Sequence, residues 1–393
     1  MERRKLSVPV LVVSWVLCLV LGALAALTGI RVDVGSDGIA LLQAQALIHS
    51  RFVGEYDPDE TRESALAAMV DSLGDRWSSY LTPEQYRSTV SARANHYVGI
   101  GITVEDDPSG TGLRIMAVTP GSPAEEAGLL PDETVLRVDG IAVTPGNREE
   151  SMDRIRGEEG TAVLLEIQGT DGAVRSQKVV RREIQSVSAG WTMLEDQVAL
   201  LTISNFYTGA ADQVNQCLEE LTEAGARALV VDVRFNPGGY VTELTEVLDR
   251  LLPEGDVFRI ESYTGRQKIY TSDAACVDLP MAVLVNENTY SAAELLAAQF
   301  RETSGAPIVG TLTSGKGYAQ NLYRLRDGSA VNLSNARYFT GGGVSLIGTG
   351  LVPDPYVGLS YERQAELYMG RLPQEKDGQL QAALAALKDE GRN

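Results

Sequence analysis

The chain has 393 residues, of which 44% are hydrophobic and 22% charged. That composition fits a folded protein of more than one domain and excludes long disorder. The formal net charge of −19 is spread along the chain rather than gathered in blocks, which excludes the basic face that nucleic-acid binding needs.

Arg3, Arg4 and Lys5 precede an uncharged run at residues 6–30. At about 25 residues it exceeds the roughly 20 that cross a bilayer, and its basic flank belongs on the cytoplasmic side. Its length favours an uncleaved signal anchor, with Ala23-Leu24-Ala25 as a cleavage site in the alternative reading of a signal peptide. Either way the chain from residue 31 is expected outside the cytoplasm, tethered to a bacterial-type cytoplasmic membrane or secreted. There Cys217 and Cys276 could pair, or remain buried thiols. No C-x-x-C is present and His49 and His96 stand apart, so neither a metal site nor a cofactor is expected.

Residues 31–96 read as a helical region. The first helix, 37–52, carries Ile39, Leu42, Ala46 and Ile48. The second opens on Pro58-Asp59-Glu60 and stops at Gly74, and the third opens on Thr82-Pro83-Glu84. None is long enough to be stable alone, so each needs a neighbour, and two chains could dimerise through them.

From Tyr97 to Arg182 the texture becomes short strands and glycine turns: Y-V-G-I-G-I-T-V, L-R-I-M-A-V, T-V-L-R-V-D-G-I-A-V and A-V-L-L-E-I, with short helices at S-P-A-E-E-A-G-L and R-E-E-S-M-D-R-I-R-G. This stretch resembles a PDZ domain, through Tyr97-Val98-Gly99-Ile100-Gly101, Ser122-Pro123-Ala124, Ala127-Gly128-Leu129, Val138-Asp139-Gly140 and Gly160-Thr161. The glycine strand standing first is the arrangement of bacterial proteases. The resemblance implies that residues 97–101 turn backbone N–H groups toward the terminal carboxylate of a peptide added as a strand.

Residues 183–358 alternate strands and helices, which argues an α/β sheet. V-A-L-L-T-I, A-L-V-V-D-V and M-A-V-L-V are strands; 209–224, 240–252 and 291–303 are helices; after Gly317 only strands follow, with Asp327-Gly328 as a hairpin turn. Residues 359–393 read as a polar helical tail, on the surface or packed against the core.

The stretch G-T-L-T-S-G-K-G at residues 310–317 is one residue short of a phosphate loop. Such a loop needs Ser or Thr after the lysine and a helix behind it. Gly317 and a strand follow instead, so an NTPase is not expected. About 25 residues upstream, Ser291 heads a helix after a buried strand, where the Ala292 N–H would be free to meet developing negative charge. Serine needs a base. Neither histidine stands near in sequence, and a Ser-Lys pair follows the same logic as a Ser-His one. A buried lysine can lose its proton near neutral pH. Asn236-Pro237-Gly238-Gly239 ends a buried strand on the same sheet edge and could supply further N–H donors. Taken singly, Ser291 could be only a helix cap and Lys316 a solvated turn residue.

The combined motifs resemble the carboxyl-terminal processing peptidases, or tail-specific proteases. They are S-L-G-D-R-W-S-S-Y-L (72–81), the PDZ set, V-D-V-R-F-N-P-G-G, N-T-Y-S-A-A-E, V-G-T-L-T-S-G-K-G-Y-A-Q, L-R-D-G-S-A and S-L-I-G-T-G-L-V-P-D. The resemblance covers about residues 39–357. It implies an α/β core of the ClpP and crotonase-like kind with added β-strands, an inserted PDZ domain and an N-terminal helical segment. It implies Ser291 as nucleophile, Lys316 as general base, Gln320 as the amide that positions the lysine, and an oxyanion hole from the N–H groups of Ala292, Gly238 and Gly239. Substrates would be proteins or peptides with exposed C-termini. Tyr290, Ala293, Ser314 and Ala319 depart from the family's usual residues without removing a catalytic group. An inactive adaptor that only binds C-termini is the alternative, and the intact Ser-Lys-Gln set argues against it.

Overall fold

The computed structural model describes residues 36–107 and 110–390. The expected membrane segment at 6–30 lies outside the described residues. Among those described, no helix is long and apolar enough to cross a membrane. The described residues fall into two compact units, divided between residues 66 and 67. The first holds α1 (Ser36–Arg51) and the start of α2 (Pro58–Asp71). Asp57 caps α2 by accepting from the N–H groups of Asp59 (2.8 Å) and Glu60 (3.2 Å).

The second unit begins with β1 (Ser79–Leu81), α3 (Pro83–Arg93), β2 (His96–Gly99), β3 (Ile102–Asp106) and β4 (Leu113–Val118). It continues through α4 (Pro123–Glu126), β5 (Thr134–Val138), β6 (Ile141–Ala142), α5 (Arg148–Ile155), β7 (Ala162–Gln168), β8 (Val174–Val180) and β9 (Arg182–Gln185). β3, β4, β5, β7 and β8 form one antiparallel sheet in that order, with β6 on β5, around a separate core that includes Ile100, Leu113, Ile115, Leu165 and Ile167. β2 pairs antiparallel with β9, Tyr97 opposite Ile184, so the chain enters and leaves this module side by side. The single strand expected over 97–104 is broken. Gly101 takes φ +86° against Ser122, where a Cβ would stand 2.2 Å from the serine Cβ.

Next come β10 (Ala189–Met193), β11 (Val198–Ile203), α6 (Ala210–Glu223), β12 (Ala228–Asp232), α7 (Val241–Leu251), β13 (Gly255–Ser262) and β14 (Gln267–Ser272). They are followed by β15 (Met281–Val285), α8 (Ala292–Ser304), β16 (Ile308–Gly310), β17 (Tyr318–Arg324), β18 (Ala330–Thr340), α9 (Tyr361–Tyr368) and α10 (Gly378–Glu390). β11, β12, β15 and β16 run parallel, with β10 antiparallel at the edge. Alternate residues of these strands face opposite sides, and both sides are apolar. Leu229, Val231, Val283 and Val285 pack with α6, α7 and α8. Val230, Ala282, Leu284 and Val309 pack with Leu380, Ala383 and Leu387 of α10. A sheet covered on both faces reads as continuous hydrophobic runs, as A-L-V-V and M-A-V-L-V do. β13, β14, β17, β18 and β1 make a further antiparallel sheet. Cys217 and Cys276 are free thiols, the first buried and the second partly so.

The C-terminal helix is thus part of the core. Arg234, at the end of β12, pairs with Asp232 (2.6 Å) and with Asp377 ahead of α10 (2.9 Å), and its side chain is 2% exposed. Its Nη1 also donates to Gln379 (2.9 Å). Arg234→Ala would strand two buried carboxylates, so it is expected to lower unfolding stability by about 3–5 kcal/mol. A shift below about 1 kcal/mol in a urea titration, the scale of an exposed pair, would contradict this account.

Candidate active site

After β15 the chain runs through N-E-N-T-Y and turns sharply into α8. Ser291 stands on that turn at φ 57°, ψ −117°, a backbone conformation that costs an L-residue energy and needs outside support. The support is dense. The buried Thr289 hydroxyl donates to Val233 O (3.0 Å) and accepts from Asn286 N (2.9 Å). Tyr290 N donates to Asn236 O (2.9 Å). The Ser291 N–H donates to Glu294 Oε2 (2.9 Å).

Glu294 joins the two halves of the site. It has no exposed surface. Besides the Ser291 N–H, it accepts from Thr313 Oγ1 (2.5 Å), Ser314 Oγ (2.8 Å), Gly315 N (2.8 Å) and Lys316 N (2.9 Å). The serine turn and the lysine turn therefore share one buried carboxylate. Sequence reading passed over it, although S-A-A-E is the spacing of a capping box. The tight turn at residues 314–317 needs its glycines: a Cβ on Gly317 would lie 2.7 Å from Ile347 N.

Ser291, Ala292, Lys316, Gln320 and Gly239 all line one cavity of roughly 490 Å³. Lys316 Nζ stands 5.0 Å from the centre of the Trp77 ring. Gln320 does not contact the lysine by hydrogen bond among the described residues. Its Nε2 donates to the Trp77 carbonyl (2.6 Å) and, more weakly, to Ser334 Oγ (3.4 Å). Gln320 thereby holds the residue whose ring faces the lysine. Asn332 donates to the same carbonyl (3.1 Å), and the Arg76 guanidinium stacks on the ring at 4.2 Å while donating to Ser314 O (2.8 Å). Tyr338, also missed in the sequence, is buried and donates its hydroxyl to the Lys316 carbonyl. Burial pushes its phenol well up, against a hydrogen bond to Ser291. Burial also pulls the Lys316 ammonium below its usual value. The Arg93 charge helps, and the Glu294 and Asp75 carboxylates oppose.

Of the expected oxyanion donors, Gly238 is corrected. Its N–H is taken by Asn236 Oδ1 (2.8 Å). Its backbone instead closes on the serine turn, where a Cβ would lie 2.9 Å from Ser291 Cβ. At the neighbouring bridge, Phe206 N donates to Gly238 O (2.9 Å) and Tyr240 N to Phe206 O (2.6 Å). Gly239's own N–H takes no part in that bridge, and Gly239 lines the cavity. The Ala292 N–H opens α8 and so has no acceptor within the helix.

In the glycine-strand module, Tyr97, Gly99, Ile100 and Gly101 line a second groove of roughly 450 Å³, together with Met152, Ile155 and Arg156 at the end of α5. Val98 lies on β2 without lining it. β3 is the edge strand beside this groove, which leaves a place for an added strand.

Comparison with known proteins matches residues 197–357 to peptidase family S41 and residues 114–169 to the PDZ domain. A carboxyl-terminal-processing protease of Synechocystis is 32% identical over 334 residues, spanning 84% of this chain and 77% of the relative. The chain belongs to peptidase family S41. The carboxy-terminal processing protease CtpA of Bacillus subtilis is 30% identical, over 80% of this chain and 67% of the relative. A putative S41 protease from Bacteroides fragilis shares the fold, with a TM-score of 0.57 at 18% identity over 88% of this chain and 96% of that one. The protein is accordingly a PDZ-containing, serine-type carboxyl-terminal processing protease, with the mixed α/β, multi-sheet build of S41 enzymes.

The S41 site gives a pH prediction. With Lys316 as the expected general base, Trp77→Ala opens it to water, so the limb of kcat/KM that rises with pH should move to higher pH. On that limb each unit of displacement costs about tenfold in rate at fixed pH. A pH–rate profile in which the limb stays put would show that the ring does not desolvate the lysine.

Proposed function

We propose that this protease uses a Ser291-Lys316 dyad to hydrolyse peptide bonds in extracytoplasmic protein substrates, delivered by their C-termini through the PDZ groove. The observation that carries the reading is the common anchor. One buried carboxylate fixes both turns, and both side chains open into one cavity. Neutral Lys316 takes the proton from Ser291 Oγ as the oxygen attacks the scissile carbonyl. The N–H groups of Ala292 and Gly239 meet the oxyanion. The lysinium then returns its proton to the leaving amine, and water, deprotonated by the same lysine, hydrolyses the acyl-enzyme. Gln320 serves this step indirectly, by holding Trp77 over the lysine.

In the groove, the substrate's last residues extend beside β3, with the terminal carboxylate against the N–H groups of residues 99–101 and the apolar side chain near Ile100, Met152 and Ile155. The basic flank and apolar run at residues 3–30 support tethering to the outer face of a cytoplasmic membrane. We assign residues 31–96 to a helical region, 97–182 to the PDZ domain, 183–358 to the peptidase core and 359–393 to a helical tail.

Ser291→Ala and Lys316→Ala should each lower kcat for an unfolded protein substrate by on the order of 10³-fold or more, with circular dichroism unchanged. Cleavage by either variant at the wild-type rate would refute the dyad.

A further inference from the structure

The catalytic cavity carries groups that the dyad does not use. Arg93, the last residue of α3, lines the cavity beside Tyr207 and Tyr240. The three stand close enough that Arg93 and Tyr240 both act on the Tyr207 phenol electrostatically. Burial, the largest influence on that phenol, raises it and keeps the hydroxyl a donor.

The arrangement is held from behind. The Arg93 carbonyl accepts from Thr208 N (3.3 Å) and Thr208 Oγ1 (3.2 Å). The buried Asn95 donates to Thr208 O (3.1 Å) and to Ser188 Oγ (2.7 Å). Tyr207 N donates to Asn205 Oδ1 (2.9 Å), and Tyr240 N to the Phe206 carbonyl (2.6 Å). Tyr207 and Tyr240 thus flank the Phe206–Gly239 bridge and adjoin the proposed oxyanion donor.

The charge around Arg93 is distinctive. The chain has 53 acidic against 34 basic residues, yet among the described residues no acidic side chain lines this cavity. Nor does the Arg93 guanidinium have an ion-pair partner among them. A half-buried guanidinium with two phenols, in a cavity that no described carboxylate lines, is a receptor for a planar anion with two acceptor oxygens.

We propose that Arg93, Tyr207 and Tyr240 form a carboxylate-binding subsite inside the catalytic cavity, which selects peptides carrying a carboxylate close to the scissile bond. The proposal rests on the Ser-Lys reading and names the substrate class for that site. The carboxylate is either an Asp or Glu side chain or the free C-terminus of a peptide cut near its end. In the second case the enzyme reads a terminus at the reaction centre as well as in the PDZ groove.

The test uses the full chain and three synthetic peptide mixtures of one length. One has free C-termini with Asp and Glu present, one is its C-terminally amidated twin, and one has Asn and Gln replacing Asp and Glu. Initial cleavage rates are read by mass spectrometry. The wild type should cut the first set about tenfold faster than one of its twins, the scale of a charge-assisted hydrogen bond. Which twin is slow identifies the source of the carboxylate. Arg93→Gln should bring that ratio close to one, Arg93→Lys should retain part of it, and Tyr207→Phe should reduce it. A ratio within one variant is insensitive to a general loss of rate, including any change Arg93 makes to Lys316. Preference residing only in the PDZ groove would survive in Arg93→Gln and would overturn the subsite, as would the absence of any preference in the wild type. Ser291→Ala, run in parallel, separates the two failures. Cleavage persisting there sinks the dyad, whereas cleavage lost there with an unchanged ratio in Arg93→Gln leaves the dyad and removes the subsite.

Discussion

The site depends on one buried carboxylate and the five donors that surround it. Glu294 accepts from Ser291 N, Thr313 Oγ1, Ser314 Oγ, Gly315 N and Lys316 N. A buried carboxylate is costly unless its lone pairs are met, and here charge-assisted bonds meet them. Those bonds come from two segments that are otherwise separate, a strained helix entrance and a glycine turn after the neighbouring strand. The strain at Ser291 persists because the surroundings over-determine it. The same negative charge favours the protonated lysine, which the proposed general base must avoid. Burial and the Arg93 guanidinium work in the other direction, so geometry and base strength are set by opposing effects on the same groups.

A second buried charge network steadies the other side. Arg234 holds Asp232 and Asp377 together at the start of the N-P-G-G loop. Asn236 then fixes that loop by donating to Ile203 O (2.8 Å) and accepting from Gly238 N (2.8 Å). A helix far along the chain, α10, thereby supports the backbone that faces Ser291. Remote positioning of this kind matters because small displacements of reacting groups are expensive in rate.

Much of this was legible in the residues. The apolar runs A-L-V-V and M-A-V-L-V marked strands covered on both faces, and the alternation after Gly317 marked a hairpin where a phosphate loop would need a helix. The near-miss at residues 310–317 was rejected on local grounds, and those grounds agree with β17 and β18. What the sequence withheld was partnership. The family resemblance implies Gln320 as the amide that positions the lysine, yet it reaches the Trp77 carbonyl, a contact 243 positions away in the chain. Gly238 and Gly239 read alike, but the Asn236 side chain takes one N–H and not the other. Arg93, Tyr207 and Tyr338 come to the cavity, and Trp77 to Lys316, from segments that no local pattern connects. β13 and β14 escaped because their mixed, half-exposed pattern gives a weak strand signal.

The most direct test of the Glu294 account is the rate at which a fluorophosphonate labels Ser291, read by intact mass in the wild type and in Glu294→Gln. A glutamine offers one acceptor oxygen where the carboxylate offers two, so the two turns should drift apart. The account predicts labelling at Ser291 in the wild type and a fall on the order of 10²-fold in the folded variant. Equal labelling rates in the two proteins would show that the serine and lysine turns do not need their common anchor.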